Sequence, residues 1–221
     1  MSGRTQQVSG RKTGRSKRKQ LPLWQETILL LGVALVLAIV IKTFFVQAFY
    51  IPSESMEPGL ILNDRILIEK VSYLGGGEPE RGDVVVFKDP SGWLSPQESA
   101  VRTDPFGKLM ARIGLYPTGG HLVKRVIGVA GDTIECCDDQ GRLMVNGKAI
   151  DETAFVRRGT GKCDGPMPTN GACNANWSTG PIPEGHIFVM GDNRSHSADS
   201  SQKMCRPDQT ECVPRDEFVP V

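Results

Sequence analysis

Two serines stand two residues apart in Ile51-Pro52-Ser53-Glu54-Ser55-Met56-Glu57-Pro58-Gly59-Leu60. Prolines bracket the stretch, so it does not extend a helix. In an extended chain, side chains alternate with period two, so both hydroxyls and Ile51 would share a face and Met56 would take the other. A serine hydroxyl alone is a weak nucleophile and needs a neighbouring base. The plainer reading is a Ser/Pro linker.

Lys124 is the candidate base. It lies in His121-Leu122-Val123-Lys124-Arg125-Val126-Ile127-Gly128-Val129, an apolar strand with two adjacent basic residues. Adjacent side chains point to opposite faces, so one of Lys124 and Arg125 faces any single buried side. An edge strand guarded by charge is the competing reading. A lysine base needs its pKa lowered from about 10.4 by roughly 2–3 pH units, a desolvation of about 3–4 kcal/mol. Histidine is the other base to weigh. His196 sits between Ser195 and Ser197 in a polar loop, which suits the surface, and His121 and His186 open strands. No carboxylate pair has a catalytic spacing.

Residues 1–20 carry seven basic residues and no acidic one, leaving −6 on the remainder of a chain whose net charge is +1. The tail lacks aromatics and precedes the apolar run Ile28–Ile41, so it reads as a topogenic signal rather than a nucleic-acid arm. Residues 1–20 are expected to be a disordered cytoplasmic tail and 21–47 a membrane-spanning anchor, with 48–221 a β domain outside. Lys42 can snorkel to the interface. A cleaved leader is the alternative, but Phe44-Phe45-Val46-Gln47-Ala48-Phe49-Tyr50 has bulky aromatics and no small-x-small pattern. From Ala48 to Ser55 the chain reaches at most about 25–30 Å, which keeps the nucleophile near the membrane surface.

Short β-branched runs punctuated by turn residues follow: 65–71, 83–87, 121–129, 133–137, 142–145, 148–150 and 186–190. Asn146-Gly147 marks a hairpin turn. Residues 91–120, with a possible short helix at 108–113, and 157–180 read as insertions. The pattern predicts a mainly β fold of short antiparallel strands.

Cysteines at 136, 137, 163, 173, 205 and 212 form no Cys-x-x-Cys pair, and no histidine has zinc-like spacing, so no metal is expected. An even count in loop-like sequence fits disulfides in an oxidising compartment, with 163–173 and 205–212 as candidate local pairs among fifteen open connectivities. Cys136 and Cys137 have no evident role.

Four blocks together resemble the type I signal peptidases, membrane-anchored Ser/Lys endopeptidases. They are residues 51–58, Arg81-Gly82-Asp83-Val84-Val85-Val86-Phe87, Lys124-Arg125-Val126-Ile127-Gly128, and Gly191-Asp192-Asn193-Arg194-Ser195-His196-Ser197-Ala198-Asp199-Ser200. The resemblance implies a signal-peptidase-like β domain, without cofactor, in the bacterial plasma membrane. It implies Ser55 as nucleophile and Lys124 as base, with the Ser55 N–H and Ser53 hydroxyl as oxyanion hole. Ser197 would orient the lysine, and Asp192 and Arg125 would pair to support it. Phe49, Ile51, Pro52, Met56, Leu122 and Val123 would line shallow subsites. The partner would be a secretory preprotein added as a strand along 49–53 and 121–124 and cut after a small-x-small site. Two departures stand out. The family usually has Arg after the Asp-Ser of the last block, where this chain has Ser201, so Asp199 would look to Lys203 or Arg206. The family also usually continues beyond the position of Val221. A self-cleaving repressor relative would need a DNA-binding domain in place of the anchor. An anchored non-enzymatic envelope β domain would not explain why these blocks co-occur.

Overall fold

The structure, a computed structural model, describes residues 22–73, 76–90, 92–94, 120–158, 176–205 and 216–221. The expected tail, the possible helix at 108–113, and Cys163, Cys173, Cys212 and Arg206 lie outside them.

Two compact units divide at Val40. The first is built on α1 (Leu23–Phe44), a helix of 22 residues and so about 33 Å long. Its segment Leu23–Lys42 is long and apolar enough to cross a membrane, and none of it is buried against protein.

The second unit is a set of antiparallel sheets. β1 (Val46–Tyr50) pairs with β2 (Arg65–Glu69) in a two-stranded ribbon, Val46 opposite Glu69. The helix expected over 21–47 therefore ends at Phe44. Val46 and Gln47 are strand, because a β-branched and aromatic run has a partner in Arg65-Ile66-Leu67-Ile68-Glu69 to hydrogen-bond.

β3 (Val84–Lys88), β4 (His121–Gly128), β9 (His186–Met190) and β10 (Val219–Pro220) form a sheet in the order β10-β9-β4-β3. β5 (Thr133–Cys136), β6 (Leu143–Val145), β7 (Lys148–Ala149) and β8 (Trp177–Pro181) form another in the order β7-β6-β5-β8. β8 falls at the end of the expected 157–180 insertion. The insertion returns to the sheet there because Cys136 and Glu135 pair with Trp177 and Ser178. A four-residue helix, α2 (Ser200–Lys203), follows β9.

Two apolar clusters fill the unit. One gathers Ile127, Ile134, Leu143, Ile182, Phe188 and Phe218 around the second sheet. The other gathers Val85, Trp93, Leu122, Val126, Ile187 and Val189 on one face of the first. At Gly128 a Cβ would stand 2.6 Å from Ile134 Cδ1 and 2.7 Å from Ile182 Cδ1, so any larger residue would force these two side chains of the first cluster to shift. Cys136 and Cys137 are bonded to each other, a pairing that the sequence reading left unassigned. Cys205 is also disulfide-bonded.

Candidate active site

β4 alternates so that Leu122, Lys124 and Val126 are buried while Val123 and Arg125 are half-buried on the other face. Lys124 is therefore the inward member of the basic pair. It is 3% exposed. Desolvation of this kind disfavours the ammonium form.

Ser55 reaches the same place from the other side. Ile51 is anchored by hydrogen bonds with Asp64 and Asn63, after which the chain turns over Ser53–Gly59, closed by Glu57 N–H to the Glu54 carbonyl and Leu60 N–H to the Met56 carbonyl. The stretch is thus not a continuous extended strand. Pro58 and Gly59 favour turning over pairing. The two hydroxyls still converge, with Ser53 Oγ 3.1 Å from Ser55 Oγ. Met56 is buried too, because the turn brings it inward. Ser55 is 5% exposed, and the Lys124 amine donates to its Oγ at 2.7 Å.

The Gly191–Ser200 segment forms the back wall. The Arg125 guanidinium donates from Nε and Nη2 to the Asp192 carboxylate at 2.8 and 2.7 Å, and lies 4.0 Å over the Phe155 ring. The Asp192 hydrogen bond raises the Arg125 pKa further, against the opposing effect of burial. Asp192 is buried, and this pair pins the wall to β4.

Asn193 donates its N–H to the Ser55 carbonyl at 3.0 Å and its Nδ2 to the Glu54 carbonyl at 3.1 Å. Arg194 is held by Glu152 at 2.8 Å and donates Nε to the Gly191 carbonyl. Arg157 ties the turn to the wall, with Nη1 to Glu57 and backbone bonds to Asp192 and Arg194. Asn193, Glu152, Phe155 and Arg157 escaped the sequence reading. The block Gly191–Asn193 was a signal for the first, but nothing local marks the others.

Two expected contacts differ. Ser197 is buried, but its Oγ has no hydrogen-bond partner among the described residues, so the expected bond to Lys124 is not made. The hydroxyl is packed against Gly191 instead, where there is no side chain to reach. Asp199 does not use Lys203, whose Nζ points to the Gly92 carbonyl. It accepts from Gly191 N–H at 3.0 Å, Ser201 N–H at 3.1 Å and Ser201 Oγ at 2.6 Å. Ser201 thus supplies locally two of the donors that a longer side chain would bring.

The expected subsite residues divide. Ile51, Met56 and Leu122 are buried and form the wall behind the surface, while Phe49, Pro52 and Val123 reach solvent. Phe49 stacks on His121 with ring centroids 5.2 Å apart. A cleft of about 1100 Å³ lies between the β1–β2 ribbon and β3, lined by Phe49, Ile66, Ile68, Val86 and Arg125. It contains neither Ser55 nor Lys124, because it opens on the Arg125 face of β4.

The chain's sequence matches known proteins over most of its length. A family model described as "Signal peptidase, peptidase S26" matches residues 24–219. The chain is 37% identical over 194 residues to a probable signal peptidase I of Mycobacterium leprae, covering 83% of this chain and 65% of that protein. It is 38% identical over 189 residues to signal peptidase I of Mycobacterium tuberculosis, covering 80% and 62%. It is 32% identical over 191 residues to signal peptidase I P of Bacillus subtilis subsp. natto, covering 84% and 82%. The chain spans just under two thirds of the length of the mycobacterial relatives. Inward lysine, paired serines and the Gly-Asp-Asn-Arg wall thus sit in a chain whose sequence matches over nearly its whole length, and it belongs to the signal peptidase S26 family.

Proposed function

We propose that this chain is a membrane-bound serine endopeptidase that removes N-terminal signal peptides from exported preproteins after small-x-small sites. The observation that carries the reading is the 2.7 Å contact between Lys124 Nζ and Ser55 Oγ, with both residues buried. Such a pair has the geometry that nucleophile activation requires.

In this mechanism neutral Lys124 takes the Ser55 proton as Oγ attacks the scissile carbonyl. The tetrahedral oxyanion accepts from the Ser55 N–H and from the Ser53 hydroxyl, which leaves Ser55 Oγ to reach it. The Lys124 ammonium then protonates the leaving amine, which departs as the mature N-terminus. Lys124 next takes a proton from water, which attacks the Ser55 ester and releases the signal peptide as a carboxylate.

In this reading the preprotein adds as a strand along 49–53 and 121–124, which suits recognition by main-chain hydrogen bonds with small side-chain pockets. β9 pairs with β4 from Arg125 to Gly128. Helix α1 ends at Phe44, eleven residues before Ser55, so the nucleophile is tethered near the membrane surface. The basic residues 1–20 favour a single-pass anchor with its N-terminus in the cytoplasm. In this reading residues 48–221 are the catalytic domain outside. Holding enzyme and substrate in one plane raises their effective concentration.

The test is cleavage of a radiolabelled preprotein by the solubilised full chain. Ser55→Ala and Lys124→Ala should each lower kcat by at least about 10³-fold. The rate should rise toward alkaline pH as the lysine loses its proton. A Ser55→Ala variant that still cuts at the same bond, or a Lys124→Ala variant at full rate with His196→Ala inactive, would reverse the assignment.

A further inference from the structure

We propose that Asn193 is a positioning residue for the oxyanion hole, orienting the Ser55 N–H from behind through the peptide that carries it. The proposal rests on the reading of Ser55 as the nucleophile. The Glu54 carbonyl and the Ser55 N–H are opposite ends of one peptide unit. That unit is planar and trans, so the direction of one fixes the direction of the other. The Asn193 Nδ2 donates to the Glu54 carbonyl at 3.1 Å. A carbonyl only accepts, so the amide nitrogen must be the atom facing it. The next peptide unit is held as well, because the Asn193 N–H donates to the Ser55 carbonyl at 3.0 Å. One residue therefore clamps the planes on both sides of the Ser55 Cα.

The clamp is itself fixed. Asn193 is 1% exposed. Its Oδ1 accepts from Ser195 Oγ at 3.1 Å, which keeps Nδ2 turned toward Glu54. Its backbone bridges Arg157 in parallel, with Arg157 N–H bonded to the Asp192 carbonyl and Arg194 N–H to the Arg157 carbonyl. A hydrogen bond on the Glu54 oxygen also polarises the amide and strengthens its N–H as a donor. Since a donor misaimed at developing charge loses most of its value, the clamp should act on the transition state and not on ground-state binding.

The experiment uses the full chain in detergent and three probes. One is a peptide substrate with an Ala-x-Ala site. The second is the same sequence ending in an alaninal aldehyde, which adds Ser55 to form an oxyanion. The third carries a reduced methylene-amine bond and has no carbonyl to polarise. Asn193→Ala should lower kcat about 10- to 100-fold with KM within twofold. Aldehyde affinity should fall in step with kcat, and reduced-peptide affinity should stay within twofold. Wild-type kcat in Asn193→Ala, or equal weakening of aldehyde and reduced peptide, overturns the proposal. If Asn193→Ala does not fold, Ser195→Ala decides. It should lose about three- to tenfold in kcat with KM unchanged, and an unchanged kcat counts against the clamp. A folded wild-type chain that neither cleaves nor captures the aldehyde removes the Ser55 assignment, and the proposal with it. An active wild type with an active Asn193→Ala removes the proposal alone.

Discussion

The Arg194 guanidinium and the Glu152 carboxylate form an ion pair at 2.8 Å in which the side chains are 0% and 5% exposed. The pair joins the turn after β7 to the wall behind Ser55 and Lys124, and Arg194 also donates to the Gly191 carbonyl. Removing one partner of such a pair leaves the other charged and dry, which costs about 3–5 kcal/mol. Glu152→Ala is therefore expected to lower the stability of the domain by that amount in urea unfolding. Replacing both partners with apolar residues, Glu152→Leu with Arg194→Met, should cost less than either single change.

Gly191 is sterically obligatory. A Cβ there would stand 2.6 Å from the Ser197 Cβ and closer still to the Ser197 hydroxyl and the Ser55 carbonyl. The Ser55 carbonyl is backbone of the Ser53–Gly59 turn and is held by the Asn193 N–H. Gly191→Ala is expected to lose about 1–3 kcal/mol by overpacking and to displace Ser55 from Lys124. A displacement near 1 Å is enough for a kcat loss of about 10²-fold. Steady-state kinetics alongside a thermal melt check both parts.

Much of the domain is legible in the sequence because its strands alternate and end at turn residues. Leu122, Lys124 and Val126 sharing one face follows from period two alone. The break between α1 and β1 is not legible, because Phe44-Phe45-Val46 is equally apolar as helix or strand and only pairing with Ile66–Glu69 decides. Trp177-Ser178-Thr179-Gly180-Pro181 carries no strand signal of its own and is ordered by β5. The Asn193 clamp spans 139 positions to Glu54, so no local pattern encodes it. The Ser197 expectation failed for a related reason, since a hydroxyl's partner depends on sub-ångström placement of the wall.

Ser201 takes the place where the sequence reading expected a cation. Asp199 is 1% exposed, and among its donors Ser201 supplies both a hydroxyl and an N–H. Ser201→Ala removes one charge-assisted bond from a buried carboxylate and should cost about 1.5–3 kcal/mol. The Asp199 bond to Gly191 N–H remains, so kcat per folded molecule should change less than threefold. Stability and active-site titration measured together test this, and a large kcat loss at unchanged stability would contradict it.

Acid should unfold the chain in part through Asp132, which joins the turn after β4 to the start of β3. Its buried carboxylate accepts from Arg81 Nε at 2.6 Å, from Arg81 Nη2, from Val129 N–H at 3.0 Å and from Asn146 Nδ2 at 2.9 Å. Burial alone would raise its pKa. The Arg81 bonds, the Val129 N–H, the Asn146 amide and the Arg81 charge together outweigh burial and lower it below 3.8. A depressed folded value means that the stabilisation is fully present above the unfolded value near 3.8 and is lost as pH falls through the folded value. Arg81 is half exposed, so salt should weaken the contribution. Asp132→Asn is expected to lower stability at pH 7 by about 1–3 kcal/mol. The gap between wild type and variant should then narrow as pH drops below about 3.8, because the wild-type carboxyl becomes neutral as well. Urea midpoints for both proteins at pH 7 and pH 3 measure that gap, and a gap that widens in acid would mean that Asp132 does not act as a carboxylate in the fold.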